Sequence, residues 1–216
     1  MLVTAGFIVG FDSETVSIAD GMIEFIEHAA MPVCMVGLLY ALPNTQLTRR
    51  LDREGRLHPN HGVASTSGGD QCATGINFDP ARPLREILID YRKILDRIYH
   101  PISYASRVDR LMSMLDRSRQ RRELPVGDLR VKVRALETVH RVVSAIPDAH
   151  EPLWRTFLSC AKRDASSARI AVAMIAAYAH LGPFSRRVIE AIDCRLAALD
   201  EGDANSLTAT NVSSKA

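Results

Sequence analysis

Val3-Thr4-Ala5-Gly6-Phe7-Ile8-Val9-Gly10-Phe11-Asp12 is an apolar run, rich in β-branched and aromatic residues, that ends in the polar opening Ser13-Glu14-Thr15. A second such run, Val33-Cys34-Met35-Val36-Gly37-Leu38-Leu39-Tyr40-Ala41-Leu42, ends at Pro43-Asn44-Thr45. Between them Ile18, Met22, Phe25 and Ile26 fall on one helical face, capped by Ser13 or Thr15 and ended by Pro32. Strand, helix and strand in this order form a βαβ unit with parallel strands. Parallel sheets are covered on both faces, and two strands alone would leave both edges unpaired. The economical expectation is that the remaining strands lie on sequence absent here, with Met1 an internal start of a split or truncated gene.

Gly6 and Gly10 have two readings. They relieve crowding where the strand meets its helix, or they let the backbone approach a flat ligand such as an adenine, with Ile8 as the apolar surface. In an α/β barrel the ligand end is the carboxyl end of the strands. Gly10, Phe11 and Asp12, with Tyr40, Ala41 and Leu42, would occupy that end.

The rest of the chain divides by composition. Residues 1–58 carry the strands and a short helix bearing Leu47 and Leu51 that stops at Gly55. Residues 59–80 are loop composition without a period, expected to be flexible and to act as a lid or mobile segment. Residues 81–199 are helical in pattern, with Ile87, Leu88, Tyr91, Ile94, Leu95 and Ile98 spaced by three and four. Breaks are expected at Pro101, Pro147, Pro152 and Gly182-Pro183, with Ala165 to Leu181 as a central bundle helix. The tail, 200–216, has the composition of a disordered segment.

The 216 residues are 47% hydrophobic and 24% charged, ordinary for a globular protein. Net charge is +2, but unevenly placed. Residues 1–80 hold 4 Lys and Arg against 9 Asp and Glu, net −5. Residues 81–199 hold 22 against 13, net +9, and the tail is at −2. The split fits two regions with different surfaces. No apolar run is long enough for a membrane span and no secretory signal opens the chain, so a cytoplasmic location is expected.

Cys34, Cys72, Cys160 and Cys194 are widely spaced, which excludes a C-x-x-C zinc site and a disulfide scaffold. His58 and His61 with Asp70 and Cys72 resemble a ligand set, but loop histidines without fixed geometry read as solvated, so no metal site is assigned. Arg117, Arg119, Arg121 and Arg122 with Arg130, Lys132 and Arg134 form a basic stretch. Without interleaved aromatics it reads as a solvated face or a dock for an acidic surface rather than for nucleic acid. His140 and Trp154 read as core or rim residues. No phosphate-binding G-x-x-x-x-G-K-[ST] loop and no serine hydrolase set are present.

Ala5-Gly6-Phe7-Ile8-Val9-Gly10-Phe11-Asp12 and Pro32 through Leu47, extended by Arg49-Arg50-Leu51, Glu54-Gly55-Arg56-Leu57 and Asn77-Phe78-Asp79-Pro80, resemble the closing part of a radical S-adenosylmethionine barrel. The likeness runs to about residue 115 and is to the cobalamin-binding, hopanoid methylase-like branch with an extra C-terminal helical domain. It implies α/β plus α: a partial TIM-like barrel, as a βαβα fragment, followed by a helical bundle. In that family the fifth strand carries Gly-x-Ile-x-Gly beside the adenine, which corresponds to Gly6, Ile8 and Gly10. The end of the sixth strand gives backbone contacts to the same ring and corresponds to Leu42 and its neighbours. Pro43-Asn44-Thr45 stands where the family has Pro-Gly-Thr, and asparagine tolerates the positive φ required.

The family's C-x-x-x-C-x-x-C motif is missing, as is the cobalamin domain, and clusters need cysteine thiolates. The resemblance therefore implies S-adenosylmethionine, a 4Fe-4S cluster and cobalamin as cofactors of the intact family, none held by this chain alone. It implies the missing N-terminal half as partner, a small-molecule substrate in the intact enzyme, and no independent catalysis. The alternative is a noncatalytic helical interaction module whose βα remnant serves for docking.

Overall fold

The computed structural model describes residues 4–59, 76–115 and 129–213. In chain order these form β1 (Ala5–Val9), α1 (Ala19–His28), β2 (Cys34–Leu38), α2 (Gln46–Arg53), α3 (Leu84–Tyr99), α4 (Pro101–Met114), α5 (Leu129–Ser144), α6 (His150–Arg163) and α7 (Ala165–Ser213). The expectations placed on His61, Asp70, Cys72 and most of the 59–80 loop, and on Arg117, Arg119, Arg121 and Arg122, lie outside the described residues.

Among the described residues β1 and β2 form a two-stranded parallel sheet. The Ala5 N–H donates to the Val33 carbonyl at 3.3 Å, and the Leu39 N–H to the Val9 carbonyl at 2.8 Å. Exposure alternates along both strands. Val9, Cys34, Val36 and Leu38 are buried, whereas Gly6, Ile8 and Met35 are exposed. The apolar runs predict cover on both faces; one face is left open among the described residues.

The edges also differ from expectation. Alternate backbone groups point to opposite sides of a strand, so the Cys34 and Val36 carbonyls turn away from β1. The Tyr99 hydroxyl donates to the first and the Tyr91 hydroxyl to the second, the latter at 3.1 Å. The prediction that both edges are bare is corrected for β2, whose outer carbonyls are met by phenols of α3.

Contacts divide the chain into two units, neither continuous in sequence. One comprises the described residues of Met1–Gly6, Gly21–Met35 and Leu95–Arg186; the other those of Phe7–Asp20, Val36–Ile94 and Arg187–Ala216.

In the first unit α4 packs on α6, and α5 packs on α6. Leu111, Met112, Cys160, Ala171 and Ala30 form an apolar cluster, with Phe157 and Ile170 against it. Arg107 of α4 is 1% exposed. Its Nε donates to the Met31 carbonyl at 3.2 Å, one Nη to the Glu27 carboxylate at 3.1 Å, and the other Nη to the Ile98 carbonyl. One guanidinium thus satisfies carbonyls at or just past the ends of α1 and α3, which lack intrahelical donors. Tyr104 donates to the Met174 carbonyl at 2.8 Å and Tyr178 to the Tyr99 carbonyl at 3.1 Å. Burial pushes the Tyr99 phenol up to about 12, so it stays a protonated donor.

The break predicted at Gly182-Pro183 does not occur: α7 runs through both residues. A Cβ on Gly182 would lie 2.7 Å from the Tyr178 ring, so only glycine permits that ring position. The Tyr178 hydroxyl bond and its ring contact with Tyr104, at 4.8 Å between centroids, hold the turn before the proline. Tertiary packing outweighs the donor that Pro183 lacks. The helix also continues past Asp200 to Ser213, where tail composition predicts no regular structure.

Candidate functional site

The candidate site lies in the second unit, where the two strands end. Leaving β1, Gly10 has φ of 106°, a conformation glycine adopts without strain. A Cβ there would also meet Ile76 Cδ1 at 3.0 Å. Glu14 turns back on this bend, its two carboxylate oxygens accepting from the Gly10 N–H at 2.9 Å and the Phe11 N–H at 3.1 Å. This explains why the helix starts at Ala19 and not at Ser13 or Thr15: Glu14 is spent on the strand end. The Ser17 hydroxyl accepts from the Ala19 N–H at 3.4 Å.

The end of β2 is fixed by side chains. Asn77 accepts the Ala41 N–H at 2.8 Å and donates to the Ala41 carbonyl at 3.0 Å, imitating a neighbouring strand. The Leu42 carbonyl accepts the Thr45 N–H at 3.3 Å, the Thr45 hydroxyl at 2.9 Å and the Thr48 hydroxyl. Thr45 in turn caps α2, accepting the Thr48 N–H at 3.2 Å. Asn44 holds φ of 66°, the positive value expected of it.

Asp12 is gripped by two arginines: Arg56 at 2.7 and 3.0 Å and Arg50 at 2.6 Å. The hydrogen bond from Arg56 is the main reason its carboxyl sits below the usual carboxylate range, with the charges of Arg56 and Arg50 acting in the same direction against burial. Arg56 also donates to the Asp79 carbonyl at 2.7 Å and lies 5.9 Å over the Phe78 ring.

What remains facing outward is apolar. Ile8 is 49% exposed, Phe11 43% and Leu42 50%. Of the residues predicted to line an adenine, Ile8, Gly10 and Leu42 belong to this unit, and Gly6 belongs to the β1 residues of the other. A Cβ on Gly6 would meet nothing within 4 Å, so crowding does not require glycine there, in contrast to Gly10. The carbonyls of Ala41 and Leu42 already have donors; this end offers apolar side chains more than free acceptors. Sequence reasoning did not assign roles to Glu14 and Asn77. The signal for Asn77 was its place in Asn77-Phe78-Asp79-Pro80, inside the resembling stretch.

The three described thiols do not fit an iron–sulfur cluster. Cys34 is buried and its Sγ donates to the Met31 carbonyl at 3.3 Å. Burial pushes its thiol up to about 11, and burial raises Cys160 as well. Cys194 is exposed. Cluster ligands must be thiolates gathered at one place, and among the described residues no three His, Cys, Asp or Glu gather to hold a metal.

Residues 45–194, from the cap of α2 into α7, match the family described as a domain of unknown function, DUF4070. The chain belongs to that family. It is also 39% identical, over 103 residues, to an uncharacterized methyltransferase of Synechocystis, covering 48% of this chain and 18% of that protein. With the hopanoid C-2 methylase of Rhodopseudomonas palustris it is 31% identical over 107 residues, 50% of this chain and 18% of that one. The chain thus spans under a fifth of the length of either relative. No solved structure matches it. No helix among the described residues is long and apolar enough to cross a membrane.

Proposed function

We propose that this chain is the C-terminal part of a cobalamin-type radical S-adenosylmethionine methylase, in which β1 and β2 are two strands of a partial α/β barrel. In this reading Ile8 and Leu42 give an apolar wall to the adenine. The carrying observation is the strand end itself. Its backbone polar groups are engaged by Glu14, Asn77 and Thr45, while Ile8 and Leu42 stand about half exposed. Exposed apolar residues at strand ends are what a ligand or a further part of the sheet would cover. The likeness to proteins named methylase and methyltransferase supports the same reading.

S-adenosylmethionine would supply the methyl and radical chemistry, with cluster and cobalamin held on other sequence. The residues here orient the adenine and keep the bend rigid; they transfer no proton and hold no iron.

One observation favours the alternative, a noncatalytic helical module. The family match begins at Thr45, after both strands. Two experiments test these readings. In a full-length relative, aspartate in place of the residue aligned with Ile8 is expected to abolish S-adenosylmethionine binding; unchanged binding removes the adenine wall. Anaerobic reconstitution of this chain with iron and sulfide is expected to yield no stoichiometric cluster. A loaded cluster that cleaves S-adenosylmethionine overturns the assignment of inactivity.

A further inference from the structure

The turn between α5 and α6 brings together two histidines that the function above does not use. Val143, Ile146 and Ala149 bury their side chains beneath this turn, and Asp148 takes φ of 60° to reverse the chain. His150, the first residue of α6, thereby meets His140 in the penultimate turn of α5. Their Nε2 atoms face each other at 3.1 Å. Trp154, one turn further along α6, stands edge-on to His140 with centroids 4.6 Å apart. Its ring lies nearly parallel to that of His150, at 6.4 Å. Beside them opens a cleft of about 840 Å³ lined by Leu136, Glu137, His140, Arg141, Ser144 and Trp154.

We propose that His140 and His150 form a two-imidazole site for a late divalent transition metal such as copper, nickel or zinc. Imidazole nitrogens bind such ions at about 2.0–2.1 Å, so two of them in a tetrahedral arrangement stand roughly 3.3 Å apart. The observed separation needs to open by only a few tenths of an ångström. Each neutral imidazole offers its Nε2 lone pair once its ring proton sits on Nδ1, so the metal takes the place of the hydrogen bond between the two rings. Trp154 packs against both rings and restricts their rotation. Glu137, one turn before His140, brings a carboxylate to the same cleft, while Arg141 opposes a cation there. Water completes the coordination, since no third His, Cys, Asp or Glu joins the pair among the described residues. The site is independent of the methylase reading.

Trp154 is the sole tryptophan, so its emission reports on this site alone. The full chain, stripped with EDTA, is titrated with copper(II). Expected is quenching that saturates at about one equivalent, is reversed by EDTA and is forestalled by prior zinc. Saturation should disappear in His140→Gln and, separately, in His150→Gln. Quenching that rises without saturating, or that still saturates in either variant, overturns the proposal. On the wild-type chain, electron paramagnetic resonance of the copper complex should show two imidazole nitrogens; one or none also overturns it.

Discussion

The Arg107 centre and the strand ends use polar groups for opposite purposes. Around Arg107 a charge is buried and each guanidinium nitrogen finds a carbonyl or carboxylate. At the strand ends Glu14, Asn77 and Thr45 bind the backbone to itself, and the exposed remainder is Ile8, Phe11 and Leu42. In both regions the named polar groups are bonded, but the first closes a core and the second presents a surface. Satisfied hydrogen bonds alone therefore do not distinguish a structural centre from a binding edge; what stays exposed does.

Replacing Arg107 with leucine should break the comparison most severely. It takes the charged donor away from the Glu27 carboxylate and from the Ile98 and Met31 carbonyls, leaving the last with only the weak Cys34 thiol, and is expected to cost about 3–5 kcal/mol in chemical denaturation. A loss below about 1 kcal/mol would mean that the centre is not a structural one. Asn77→Ala comes next, with about 2 kcal/mol from the buried Ala41 amide and carbonyl left unpaired. A variant this damaged while Asn77→Asp is fully stable would show that the donor to Ala41 carries nothing.

The glycines sharpen the contrast at smaller scale. Gly10→Ala must hold a positive φ and displace Ile76, and should lose roughly 1–3 kcal/mol. Gly6→Ala should fall within about 0.5 kcal/mol, as no atom stands near the added carbon. Equal effects at the two positions would merge the two roles that the structure separates. Smallest is a chemical effect without a stability change. Cys34, raised to about 11 by burial, should resist alkylation in the native protein at pH 8, while exposed Cys194 labels readily. Peptide mapping by mass spectrometry reads both, and early labelling of Cys34 would show that its surroundings open.

Much of this was legible in the chain. The period-three-and-four spacing from Ile87 to Ile98 located α3, Gly55 marked the end of α2, and Asn44 announced a positive φ in its turn. Other features were not. Ser13 and Thr15 carry the composition of a helix cap, yet Glu14 between them bonds to the strand end, a choice made by where the chain bends after Gly10. Gly182-Pro183 reads as a stop in any sequence, and α7 passes through it because Tyr178 is anchored to Tyr99 and Tyr104.

Sequence by itself determined the apolar strands, their parallel sense and the helical character of the region after residue 81, because side-chain periodicity and turn residues act locally. Only tertiary structure decided which strand face is open, that Tyr91 and Tyr99 close the outer carbonyls of β2, and that His140 meets His150. Those outcomes depend on groups up to 65 residues apart being brought within hydrogen-bond reach, and no local pattern encodes which partners will meet.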